Sequence, residues 1–97
     1  MRDYGLRELQ ALAESTMEAL GAAGLTDLQA EIQRRVIDRS FLEMTECVRL
    51  DSGQWRVVYK PFVELALGQI RDTARHPQWT RERKRAWVRW TLLMSGL

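Results

Sequence analysis

Few side chains in this sequence of 97 residues could carry out catalysis. His76 is the only histidine and precedes a proline, and Cys47 is the only cysteine. Cys47 lies in an apolar, strand-like context, which is more typical of a small buried hydrophobe than of a nucleophile. Glu43 and Glu46 share a face only if they lie on a helix, and a solvated pair is the simpler interpretation. With no glycine-rich phosphate loop and no histidine-containing metal pattern, the sequence predicts a protein that is not an enzyme and uses no metal or cofactor.

The last twenty residues instead combine aromatic and cationic side chains at helical spacing. Three of the four tryptophans lie there, together with a third of the basic residues. On a helical wheel the tryptophans form one stripe, which favours their burial. We expect Trp79, Trp87 and Trp90 to pack on four leucines from the rest of the chain, which are Leu6, Leu9, Leu20 and Leu65. Another side of the wheel is basic, and its side chains are predicted to contact an anionic partner, either nucleic acid or an acidic protein surface. They are Arg81, Lys84, Arg85 and Arg89.

Two apolar residues, Val88 and Leu92, interrupt the basic side of this segment. A helix with apolar residues on opposite sides usually contacts something on both of them. The sequence therefore predicts a homodimer in which Val88 and Leu92 form the contact between the two copies.

The charge of the chain is unevenly distributed along its length. The net charge is +2 overall, but residues 1–46 have five basic and nine acidic side chains, whereas residues 47–97 have ten basic and four acidic. This asymmetry indicates that the second half meets an anion, or that two copies pack with complementary ends. A lone cysteine, a charged start and no long apolar run predict a cytoplasmic protein that does not enter a membrane.

Periodicity and turn signals place four helices and one hairpin in the chain. Leucine spacing predicts a helix over residues 3–23, and a capping-box pattern, Thr26-x-x-Gln29, begins a second helix. That helix is expected to end near Arg39, although its apolar spacing would also fit a longer helix to about residue 47. Residues 45–50 and 54–59 flank a turn and predict a hairpin. A third helix is predicted over residues 61–74, with Phe62, Leu65, Ala66, Gln69 and Ile70 on its inner face, and a fourth over residues 78–94.

The order helix, turn, helix, hairpin resembles a winged helix-turn-helix unit across about 45 residues. The resemblance implies that Thr26, Gln29, Gln33 and Arg34 face DNA bases, and that Arg49, Arg56 and Lys60 meet phosphate. Three carboxylates on the second helix would repel phosphate, and they belong to Asp27, Glu31 and Asp38.

The expected architecture is one compact domain over residues 1–97, mainly α, with four helices and a β-hairpin between helices 2 and 3. An all-α bundle with a longer second helix is the alternative. The expected function is a small regulatory binding protein, either a DNA-binding transcriptional regulator or a modulator that occludes a partner protein as an inhibitor, anti-activator or adaptor.

Overall fold

A computed structural model of the chain describes residues 6–38 and 41–97, and it describes side chains from residue 11 onward except those of residues 37, 41 and 42. The fold class is confirmed: the protein is mainly helical, with one hairpin between the second and third long helices. In chain order the elements are α1 (Leu6–Ala22), α2 (Thr26–Ile32), a π-helical turn (Gln33–Ile37), α3 (Phe41–Met44), β1 (Thr45–Arg49), β2 (Trp55–Tyr59), α4 (Pro61–Ala74) and α5 (Arg81–Ser95).

The junction between α1 and α2 differs from the predicted capping box. Leu25, not Thr26, precedes α2, and no side chain caps the helix. Gln29 instead turns back and donates a hydrogen bond from Nε2 to the Met17 carbonyl at 2.7 Å. A Cβ at Gly21 would lie 2.6 Å from that nitrogen, so glycine is what allows this close approach. The capping-box prediction is wrong because Gln29 links α2 to α1.

The second helix keeps its predicted inner stripe and ends close to the predicted position. Leu28, Ile32 and Val36 are buried. The helix continues as the π-helical turn, which closes with a 2.8 Å hydrogen bond from the Asp38 amide to the Gln33 carbonyl. Arg39, the expected last residue, lies outside the described residues. Because β1 begins at Thr45, the alternative of a helix to residue 47 is wrong.

The predicted hairpin is confirmed. Strands β1 and β2 pair antiparallel, with Cys47 opposite Val57. The Leu50 amide donates to the Gln54 carbonyl at 2.8 Å and closes the turn. The hairpin thus separates the α1–α2 pair from the α4–α5 pair along the chain.

Helix α4 packs against both α1 and α5, and the faces of these three helices form most of the core. Pro61 begins α4 as predicted. Its inner face, however, is rotated from the predicted one: Ala66 and Ile70 are buried as expected, while Phe62, Leu65 and Gln69 are exposed. The buried arc of α4 consists of Val63, Ala66, Leu67, Ile70 and Ala74.

Helix α5 is shorter at its start than predicted. Thr80 is its N-cap, since its hydroxyl accepts a hydrogen bond from the Arg83 amide at 3.2 Å. Trp79 therefore precedes the helix. The helix ends at Gly96, whose φ of 76° is the left-handed conformation that favours glycine just past a helix. Leu97 then folds back into the core.

Candidate interaction surface

Helix α5 packs on the core with the face opposite to the one that the helical wheel favoured. Val88, Thr91 and Leu92 are the buried residues of this helix. Trp87 and Trp90 are exposed by 45% and 54% of their surface, respectively. The prediction that the tryptophans are substantially buried is thus wrong for these two, and Trp79 is half-buried. The side chains of Leu6 and Leu9, two of their expected partners, lie outside the described ones.

The exposed arcs of α4 and α5 lie side by side. Phe62 and Leu65 on α4 line one groove of about 270 Å³ together with Trp90 and Met94 on α5. Trp87 contacts Trp90 edge to face, with ring centroids 5.7 Å apart. We name the combined surface the aromatic face. Its five members are exposed by between 42% and 64%, and they are Phe62, Leu65, Trp87, Trp90 and Met94. Leu93 is also exposed, but it lies on the other side of α5, where it lines a groove with Asp27 and Glu31 of α2.

Ring contacts hold one edge of the aromatic face in place. His76 stacks on Trp79 with centroids 4.5 Å apart, and Trp79 lies 6.0 Å from Trp87. The guanidinium of Arg83 lies 4.2 Å above the Trp79 ring, which is a cation–π contact. These contacts continue the aromatic series from the 75–80 loop onto α5. Side chains restrained in this way lose less conformational entropy when a partner covers them.

The basic side of α5 is only partly available to a partner. Arg85 donates a hydrogen bond to the Asp27 carboxylate on α2, and Arg89 approaches the same carboxylate at 3.9 Å. The hydrogen bond from Arg85 lowers the pKa of Asp27 below its ordinary value. Arg81 and Arg83 are exposed, and Lys84 is half-buried. Of the four predicted contact residues, Arg85 thus also joins α5 to α2, while Arg81 and Arg89 are exposed.

The predicted dimer contact is wrong in its residues. Val88 is fully buried and Leu92 is 5% exposed, and both belong to the core cluster. They interrupt the basic side of the helix because that side faces the rest of the chain. These two side chains therefore offer a second copy almost no surface to bind.

Three of the four polar residues expected to face DNA bases form side-chain hydrogen bonds within the chain, and the fourth, Thr26, is exposed. Gln29 bonds to α1, as described above, and Gln33 donates to the Asp38 carboxylate at 2.9 Å. Arg34 donates two hydrogen bonds to Glu31, both at 2.7 Å. Arg56 is half-buried on β2. Contacts from Arg35 and Arg34 also lower the pKa of Glu31.

The structure also describes the exposure of Cys47, the possible metal-binding groups and the apolar character of the helices. Cys47 is exposed on β1, so its expected burial is wrong. Within the described part of the chain, no group of three or more histidine, cysteine or acidic side chains is arranged to hold a metal ion. Among the helices of residues 6–38 and 41–97, none has the length and apolar character needed to cross a membrane.

Comparison of the chain with protein-family models, with curated proteins and with solved structures finds no match.

Proposed function

We propose that this protein is a non-catalytic interaction module that binds an amphipathic helix of a partner protein on the aromatic face and modulates that partner by occluding the helix. The observation that supports this most directly is the joint exposure of five large apolar side chains on two adjacent helices. A monomeric soluble protein seldom exposes so much contiguous apolar surface unless something binds there.

The size of the aromatic face supports a protein partner. Taking roughly 200 Å² for each fully exposed large side chain, the five residues present about 540 Å² of accessible surface. The largest apolar patch on a typical monomer is about 300–600 Å², and a standard protein interface buries about 800 Å² on each partner. The aromatic face thus lies at the upper end of the range for a single patch and supplies about two thirds of a standard interface before any polar rim is added.

The composition of the aromatic face supports the same class of partner. Tryptophan, phenylalanine, methionine and arginine are enriched at the centres of protein interfaces, and tryptophan and arginine are the commonest energetic hot spots. Trp87, Trp90 and Met94 provide the apolar centre, while Arg83 and Arg89 flank it on α5.

The groove between α4 and α5 favours a helical ligand with acidic flanks. An amphipathic helix binds by inserting anchor residues into an apolar groove between two helices. Arg89 has 65% of its side chain exposed, and Arg83 is exposed as well. A partner helix with carboxylates beside its anchors would pair with these guanidinium groups. In this proposal, the anionic partner that the sequence predicted is an acidic protein surface.

The DNA-binding alternative has less support from the geometry. Reading base edges needs side-chain donors and acceptors that are available in the groove. Gln29, Gln33 and Arg34 are committed to Met17, Asp38 and Glu31. Asp27 and Glu31 also place negative charge on the helix that would enter the groove. We further propose a cytoplasmic location, since a single cysteine is typical of a reducing compartment.

A selection from random peptides of about 15 residues, four turns of helix, tests the proposal directly. The protein should select peptides that become helical on binding and carry apolar anchors with acidic neighbours. Trp90→Ala should weaken the binding of a selected peptide by about tenfold or more, as expected at an interface hot spot.

Trp55→Ala is the matched control, because Trp55 is exposed to a similar extent but lies on the hairpin. This variant should bind the peptide normally. Equal losses for both tryptophans, or no selected peptide at all, would contradict the proposal. Strong binding to random-sequence duplex at physiological salt, with a steep salt dependence, would support the DNA-binding alternative instead.

A further inference from the structure

We infer that Gln69 is a specificity-determining residue of the α4–α5 groove, and that the partner helix carries an asparagine or glutamine among its apolar anchors to pair with it. The inference rests on the proposed function, because it concerns the helix that we propose binds in this groove. It goes beyond that proposal by naming the side-chain chemistry that decides which amphipathic helices bind and in which register.

Gln69 belongs to the same wall of the groove as two members of the aromatic face. Phe62, Leu65 and Gln69 occupy positions i, i+3 and i+7 of α4, which places them on one face of the helix. All three are exposed, and they line the groove together with Trp90 and Met94 of α5. Leu65 and Gln69 also border a second groove beside α1, so they form the ridge of α4 between the two grooves. The α4 wall thus consists of two apolar side chains followed by one carboxamide.

The polar side chains of this groove differ in whether the chain already satisfies them. Besides Gln69, two hydroxyls line the groove, and both donate to the backbone of α5. Thr91 Oγ1 donates to the Trp87 carbonyl at 2.9 Å. Ser95 Oγ donates to the Leu92 carbonyl at 3.4 Å. Within the described part of the chain, the Gln69 carboxamide forms no hydrogen bond, so its donors and its acceptor are available to a ligand.

A helix that covers the groove removes water from Gln69. An amide that is buried without a hydrogen-bond partner loses its contacts with water and gains none in return, which weakens binding. The backbone of the ligand helix cannot replace the water, because its amides and carbonyls are hydrogen-bonded to each other. A side chain of the ligand must therefore supply the partner for Gln69.

A carboxamide is the side chain that meets this requirement best. Asparagine and glutamine have both donors and an acceptor, so one of them can satisfy the N–H and the carbonyl of Gln69 at the same time. A carboxylate or an ammonium group would pair with only one end of Gln69, and it would lose its hydration beside Phe62, Leu65 and Trp90. In coiled coils a single buried asparagine fixes register and partner choice in the same way.

Paired selections with the wild type and Gln69→Leu test the inference. From a library of random peptides of about 15 residues, four turns of helix, the wild type should select peptides with asparagine or glutamine at one position of the apolar stripe. Gln69→Leu should select an apolar residue at that position. Gln69 is exposed, and leucine and glutamine have similar helix propensities, so this substitution should leave the fold intact. Thermal melting of the variant should verify that it is folded.

The affinities of two peptides measure the contact itself. A selected peptide, and the same peptide with its carboxamide residue replaced by leucine, are titrated against both proteins. The wild type should bind the carboxamide peptide about tenfold or more tightly, since the leucine peptide leaves Gln69 buried and unpaired. Gln69→Leu should reverse this order. Gln54→Leu is the matched control, because Gln54 is also exposed but lies between the strands of the hairpin, and it should keep the wild-type preference.

The outcomes separate a failure of this inference from a failure of the proposed function. Selected peptides with no carboxamide at a fixed position of the stripe, or a carboxamide preference that persists in Gln69→Leu, would overturn the role of Gln69. If Trp90→Ala weakens the binding of those same peptides, the interaction module remains and only the specificity assigned to Gln69 is refuted. If the wild type selects no peptide, both the module and the role of Gln69 fail.

Discussion

Leu92 and Leu93 are neighbours on α5 with the same side chain and opposite environments. Leu92 is 5% exposed and packs in the core, while Leu93 is 76% exposed on the side of the helix next to α2. Each belongs to its own apolar arc on the helix, so hydrophobicity alone does not distinguish them. The difference shows that an amphipathic pattern identifies apolar arcs, whereas the neighbouring elements decide which arc is buried.

Helix α4 also has adjacent apolar residues with opposite environments. Val63 is fully buried, and the adjacent Phe62 is 42% exposed. On both helices the buried arc is formed by aliphatic and small side chains, and the larger aromatic residues stay outside. Because α4 contacts α1 on one side and α5 on another, compact side chains let the three helices approach each other closely.

The largest expected effect comes from the matched pair Leu92→Ala and Leu93→Ala. Leu92→Ala should lower the free energy of unfolding by about 2–5 kcal/mol, because it removes buried methyl groups and leaves a cavity. Leu93→Ala should change it by less than about 0.5 kcal/mol, as surface substitutions do. Urea titration of both variants measures the difference. Similar losses for the two leucines would show that the assigned rotation of α5 is wrong.

The start of α5 gives the next effect in size. Thr80→Ala should cost about 1 kcal/mol, because the hydroxyl of Thr80 satisfies the Arg83 amide at the first turn. Thr26→Ala is the matched control, since no side chain caps α2 and its loss should be close to zero. Denaturant midpoints of the two variants test this. A greater loss at Thr26 would restore the capping box that the sequence suggested.

Trp90→Ala separates stability from binding on the exposed arc. A buried tryptophan replaced by alanine costs about 3–5 kcal/mol, and a half-exposed one should cost well below that. We expect a loss of about 1 kcal/mol in stability together with the weakened peptide binding described above. Differential scanning calorimetry measures the first quantity. A protein that unfolds on this substitution would show that the tryptophan stripe belongs to the core.

The smallest effect concerns the contact between Arg85 and Asp27, which holds the basic side of α5 against α2. Folding lowers the pKa of Asp27, so the folded state is stabilised when the carboxylate is ionised. That contribution is present above the ordinary carboxyl pKa of about 3.9 and is lost as the pH falls through the lowered value. Asp27→Asn should flatten the decrease in stability over this acidic range, with little change in the pH dependence near neutrality. Melting temperatures measured along a pH series for both proteins give the comparison.

Much of the local structure could be predicted from the sequence. Pro61, the Asp51-Ser52-Gly53 turn and Gly96 act through their own backbone preferences, and the structure has the third helix, the hairpin and the end of α5 at these positions. The stripe of Leu28, Ile32 and Val36 was also identifiable, because it is the main apolar arc of its helix. Gln29 was misassigned because its hydrogen bond to Met17 spans twelve residues and has no local signal.

By itself, the sequence determined the helical class, the hairpin and which side chains of α4 and α5 are apolar, because these follow from backbone preferences and periodicity within a few turns. Only the tertiary structure decided which apolar arcs were buried. That choice depends on how closely α1, α4 and α5 pack and on contacts between distant residues, such as Arg85 with Asp27. A helical wheel shows only the residues of one helix and contains no information about those neighbours. Packing the aliphatic arcs inward left the tryptophans of α5 outside, on the surface that we propose binds other helices.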